Sequence, residues 1–162
     1  MKLHSPLSTL LLALAALASP AALAAGAVKV NFVQPEKFAD IGYGSLDRER
    51  TLRALGDYLK SLGGPRLADG HTLDVEITNI DLAGETRFTP KGDLRVMRGR
   101  ADWPRIDLSY TLRAGETVLK SGQAKLADMA YLSGRRTSEL QTEFGHEKRM
   151  LKNWFDETFG KP

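Results

Sequence analysis

The stretch that decides the fold is Arg98–Asp128, RGRADWPRIDLSYTLRAGETVLKSGQAKLAD. Within it Ile106, Leu108, Tyr110 and Leu112 alternate with Asp107, Ser109, Thr111 and Arg113. A period of two sends successive side chains to opposite faces, so the run reads as a strand with one face on a core and the other in water. Ala114-Gly115-Glu116 supplies a turn, and Thr117 to Leu126 returns as the second arm of a hairpin, Gly122 marking a bulge or a close backbone approach.

Upstream, His71 to Leu82 reads as a long strand whose phase changes. Leu73, Val75 and Ile77 share a face, but Ile80 and Leu82 rejoin it only if one extra residue intervenes, which predicts a β-bulge near Thr78-Asn79. With the hairpin this gives a three-stranded meander. Residues 83 to 92, containing Gly84, Pro90 and Gly92, read as an exposed loop, and Leu94 with Val96 as a short edge strand. Val28, Val30 and Phe32 alternate as a first strand, which Gln34-Pro35-Glu36 ends; in the connection that follows, Phe38 plugs the core edge.

Two segments carry helical periodicity instead. Leu52, Leu55, Leu59 and Leu62 form one stripe of a helix that begins near Asp47, with Ser45 or Asp47 as cap and Glu49–Arg53 as an i,i+4 pair. Gly63-Gly64-Pro65 stops it, a glycine taking the left-handed conformation past the last turn. After Asp128 to Leu132 the chain leaves the sheet through a polar loop, 133 to 137, that holds Arg135-Arg136. Ser138-Glu139-Leu140-Gln141 then matches a capping box and opens a C-terminal helix striped by Leu140, Phe144, Leu151, Trp154 and Phe155, with Gly145 weakening its first third. The fold class that follows is α+β: an antiparallel sheet of about four to five strands, in the order β-α-β-β-β-α, with both helices on one face. If the first strand pairs in parallel, its crossover is right-handed.

The N-terminus speaks to compartment. Lys2 precedes the apolar run Leu10–Leu17, too short to span a bilayer as a mature helix; Pro20 breaks it, and Ala22-Leu23-Ala24 has the small-x-small pattern of a signal-peptidase site. Residues 1–24 therefore read as a secretory signal, cleaved after Ala24 or Ala25, and 25–162 as a single domain exported to the periplasm. Cleavage after Ala24 leaves 138 of the 162 residues, enough for one core. The sequence has no Cys, which excludes disulfides, thiol chemistry and a lipid-modified cysteine. With Lys2 removed, 22 Lys and Arg stand against 20 Asp and Glu, too small an excess to argue for nucleic acid.

The chemistry-bearing residues are few. Of three histidines, His4 lies in the signal, and His71 and His146 have no neighbouring His or Cys with which to build the usual three- or four-ligand zinc site. There is no G-x-S-x-G elbow, and Gly63-Gly64 ends a helix rather than opening a phosphate loop. Asp74 and Glu76 share the outward face of a strand, where a carboxylate pair can act as acid and base but where a one-sided sheet also requires charge. No catalytic residue, metal site or cofactor is assigned.

The strongest binding candidate is a basic shoulder. Arg87, Lys91, Arg95, Arg98, Arg100 and Arg105 stand against Asp93 and Asp102, interleaved with Phe88 and Trp103. Arginine forks take phosphate or carboxylate bidentately and an indole stacks on a flat or cationic partner, so Arg98, Arg100, Asp102, Trp103 and Arg105 are the candidate ligand-binding residues, for an anionic envelope ligand or an envelope protein. The plainer reading is a solvated sheet edge whose arginines pair with nearby acids. The basic amphipathic run 146–155 is a second surface candidate, for a membrane or a partner, against a plainer reading as core.

The blocks VKVNFVQPEKFADIG, DLAGE, DLRVMRGRADWPRIDLSYTL, LADMAYL and EKRMLKNWF resemble a bacterial family of exported proteins catalogued as domain of unknown function 3016. The likeness runs over essentially the whole mature chain. It implies a small Gram-negative periplasmic protein, and it brings no catalytic residue with it. The expectation is a non-enzymatic binding or accessory module of the cell envelope, with a carboxylate-based envelope enzyme or a peripheral membrane-surface protein as the alternatives.

Overall fold

The computed structural model describes residues 25–90, 92–133 and 138–161; residues 1–24, read above as a signal, Lys91 and the Arg135-Arg136 pair lie outside the described residues. The elements in chain order are β1 (Ala27–Phe32), α1 (Ser45–Gly63), β2 (His71–Asp81), β3 (Glu85–Thr89), β4 (Gly92–Val96), β5 (Arg105–Ala114), β6 (Thr117–Ala127) and α2 (Gly145–Phe159), with short 3-10 turns at Pro35–Lys37 and Glu139–Gln141. The fold is α+β. A four-stranded sheet has the order β1-β2-β5-β6, and β3-β4 form a separate two-stranded hairpin.

The sheet is mixed, which corrects the all-antiparallel expectation. β1 runs parallel to β2, from Ala27 opposite Thr72 to Phe32 opposite Ile77. The helix α1 carries the chain back along the sheet, and a crossover of that length lets two successive strands run the same way. β2, β5 and β6 form the expected antiparallel meander.

The phase change in β2 is a bulge at the expected place: Ile77 pairs with Leu108 and Asn79 with Asp107, leaving Thr78 without an opposite number. Thr78 Oγ1 donates to the Asp107 carbonyl (3.3 Å), and Asn79 Oδ1 accepts the Ala39 amide (3.0 Å). The extra residue lets Leu73, Val75, Ile77 and Ile80 all face the core. The core lies between this face and both helices, where Leu55, Leu59 and Leu62 of α1 meet Met150, Leu151, Trp154 and Phe155 of α2. Gly122 permits the anticipated close approach, since a Cβ there would stand 2.9 Å from the Tyr110 hydroxyl oxygen.

Helix α1 starts at Ser45 on an N-cap, Gly44, that makes no side-chain cap hydrogen bond, and it ends without a left-handed glycine: Gly64 is right-handed (φ −50°). Gly63 matters through space, because a Cβ there would lie 2.5 Å from Val28 Cγ2. The closing turn is instead tied by Arg66 and Leu67 amides on the Gly63 carbonyl, at 3.0 and 2.8 Å. Arg66 then reaches across to α2 and donates to Asp156 at 2.7 Å, with both side chains buried.

Two further expectations change. Residues 85–89, read as loop, are strand β3. Its residues alternate with no core face, so period-two hydrophobicity, the signal used to find strands, is missing there. The capping box at Ser138 does not open a helix; Ser138 caps only a 3-10 turn, with no side-chain hydrogen bond, and α2 begins at Gly145 behind Phe144 in the left-handed region (φ 55°). Gly145 is pressed against the preceding turn, where a Cβ would meet the Glu139 oxygen at 2.4 Å. A straight helix through 138–159 is thereby replaced by a bend.

Candidate functional site

That bend makes one wall of a cavity of about 440 Å³. Its floor is Leu82 and Ala83, just past the end of β2; α1 contributes Asp47, Arg50 and Thr51; the hairpin contributes Thr86, Asp93 and Arg95; and the bend contributes Leu140, Phe144 and Glu147. A volume of this size with mostly apolar walls and a few fixed polar groups is what small-ligand sites use.

The polar groups are held from behind. Arg95 donates from Nη1 to the Ala83 and Gly84 carbonyls, both at 3.1 Å, and from Nη2 to the two Asp40 oxygens at 3.1 and 2.9 Å. One guanidinium thus fastens the hairpin to the end of β2 and to the residue-40 segment. Thr51 Oγ1, buried, donates to the Ile41 carbonyl at 3.1 Å. Glu147, only 3% exposed, accepts the Ala83 amide at 2.7 Å. Arg50 of α1 pairs with Glu143 of the bend. At the lip the exposed Tyr43 and Phe88 rings meet edge to face, 4.8 Å apart.

His146 lines the same cavity, its ring edge-on to buried Tyr131 at 4.9 Å. Its Nδ1 is buried and unpaired, and burial holds the imidazole below its ordinary pKa, partly offset by Glu147. Among the described residues no group of three or more His, Asp or Glu side chains is arranged to hold a metal ion.

The five residues singled out in the sequence lie between β4 and the start of β5, and they are largely turned on one another. Asp102 accepts the Arg98 and Arg100 amides at 2.7 and 2.8 Å, and these backbone bonds hold its carboxyl below the ordinary range. The Arg98 side chain pairs with Glu85 at 3.4 Å. Arg105 donates to Asp81 at 2.7 Å while its guanidinium lies 4.7 Å over the half-buried Trp103 ring. Of the five, Arg100 alone presents an exposed charge with no ion pair among the described residues. Arg95 belongs to the cavity instead. Asp74 and Glu76 stand on the open polar sheet face, near Arg113 (3.7 Å) and Ser109 (3.4 Å).

The cavity residues were illegible as a set because they come from four separate stretches, with Glu147 hidden in a helix that sequence reads as plain core cover. The one local signal was Gly145, which broke a helical pattern where no turn was needed.

Residues 26–157 match the family described as protein of unknown function (DUF3016). The chain belongs to this family. No curated protein matches it. The DUF3016 match spans β1 through most of α2, so every wall of the cavity lies within the family domain. Among the described residues no helix is long and apolar enough to cross a membrane.

Proposed function

We propose that this DUF3016 protein is an exported, non-enzymatic binding or accessory module of the cell envelope, and that its ligand sits in the cavity between α1, the β3-β4 hairpin and the start of α2. The observation that carries this is the cavity's construction: about 440 Å³ of space whose polar walls are locked by Arg95, Thr51 and Arg50 before any ligand arrives. Pre-ordered walls reduce the entropy lost on binding. The basic shoulder is the weaker site, since Arg98 and Arg105 are already paired and Asp102 serves its own loop. The carboxylate-based enzyme alternative draws no support from Asp74 and Glu76, which line a separate depression on the polar sheet face and are engaged there by Arg113 and Ser109.

The test is thermal shift and native mass spectrometry of the purified protein with small-molecule extract of the envelope. The native chain should gain stability and a bound mass, and Thr86→Trp, which fills the cavity, should lose both. If Thr86→Trp keeps the ligand while the combined change of Arg98, Arg100 and Trp103 to Ala loses it, the shoulder is the site. Export is checked separately: N-terminal sequencing of protein from the periplasmic fraction should start at Ala25 or Gly26, and an intact Met1 in the cytoplasm would overturn it.

A further inference from the structure

Resting on that binding reading, the charge inventory of the cavity goes further and names the class of ligand. Two guanidiniums line it, and both are spent: Arg50 on Glu143, Arg95 on Asp40 and two carbonyls. Three lining carboxylates, Asp47, Asp93 and Glu147, make no ion pair among the described residues. Asp47 and Asp93 are at the mouth, where water can serve them. Glu147 lies deeper: it is 3% exposed, its Oε1 accepts the Ala83 amide, and among the described residues no other donor reaches the carboxylate, whose second oxygen is left to the solvent of the cavity.

Buried carboxylates in folded proteins are normally paired, because removing the charge from water is costly unless an opposite charge or several donors replace the solvent. The first turn of α2 offsets part of this charge through its free amides, and the Ala83 amide offsets more. One carboxylate oxygen still lacks a donor where it borders the cavity. Tyr43, which lines the cavity, meets the exposed Phe88 ring edge to face, and aromatic faces attract cations. We infer that the cavity binds an organic cation, a primary amine or guanidinium on an apolar stem, with the charged head against Glu147 and the stem against Leu82, Leu140 and Phe144. A free diamine and a lysine or arginine side chain of a peptide share this chemistry.

The experiment is an amide chemical-shift titration of the purified protein with four probes: 1,5-diaminopentane, capped lysine, its neutral isostere capped norleucine, and capped glutamate. Saturable shifts at Ala83, Thr86, Asp93 and Glu147 are expected with the two amines, and capped norleucine should bind about tenfold more weakly than capped lysine. Tighter binding of the diamine points to a free amine, and tighter binding of capped lysine to a peptide. Glu147→Gln should lower amine affinity about tenfold and leave norleucine unchanged. Should that variant fail to fold, Asp47→Asn with Asp93→Asn should still weaken the amines about threefold, as exposed charges do. Equal binding of lysine and norleucine, or preference for glutamate, overturns the cation inference and leaves the cavity as a site. Shifts with none of the four overturn both.

Discussion

At the scale of single residues, Asp156 shows how charge is managed here. It receives Arg66 at 2.7 Å and Lys152 at 2.5 Å, joining the end of α1 to α2 with the Arg66 and Asp156 side chains nearly dry. Burial alone raises its carboxyl, but the hydrogen bonds from Lys152 and Arg66 outweigh it and hold the group below the ordinary range. Asp156→Ala leaves Arg66 buried without its partner and should cost about 3 kcal/mol in urea unfolding. The pH sign follows from a depressed folded-state pKa. The stabilisation is fully present above the unfolded value, about 4, and is lost as pH falls below it. Urea midpoints measured from pH 6 down to 3 should therefore fall more steeply for the native chain than for Asp156→Asn, and parallel curves would show that Asp156 is not the responsible group.

Elements respond to single contacts that hold them in place. The hairpin β3-β4 exposes Phe88 and Leu94 and depends on Arg95 for its anchor to Asp40 and the β2 end. Asp40→Ala should cost about 1–2 kcal/mol, discounted for a half-buried pair. Its signature should be faster amide exchange confined to 85–96, with β2 and β5 unchanged. The start of α2 depends on Gly145 in another way. A methyl there meets backbone at 2.4 Å, so Gly145→Ala should destabilise by about 2 kcal/mol, although alanine favours helices. A stabilised Gly145→Ala would mean that the bend relaxes into the straight helix the sequence suggests.

For the whole molecule, one core joins both helices to one sheet face, and unfolding should be a single transition in which far-ultraviolet dichroism and fluorescence of buried Trp154 coincide. Separate transitions would mean that α2 and the bend form a unit of their own. Periodicity by itself determined β2, β5, β6, the bulge at Thr78, the α1 stripe and the α+β class, because each is a local pattern of apolar residues meeting one core. Only the tertiary structure decided that β1 runs parallel, since alternation is the same in either direction and the pairing partner is some 45 residues away, across α1. It also decided that residues 85–89 pair off the core, and that α2 starts late, where Gly145 must clear the Glu139 carbonyl. The cavity exists because of those two departures from the apolar pattern. Arg95 and Glu147 meet there across Ala83, with Asp40 holding Arg95, all from distant parts of the chain, and no spacing in the sequence encodes a contact that backbone packing alone brings about.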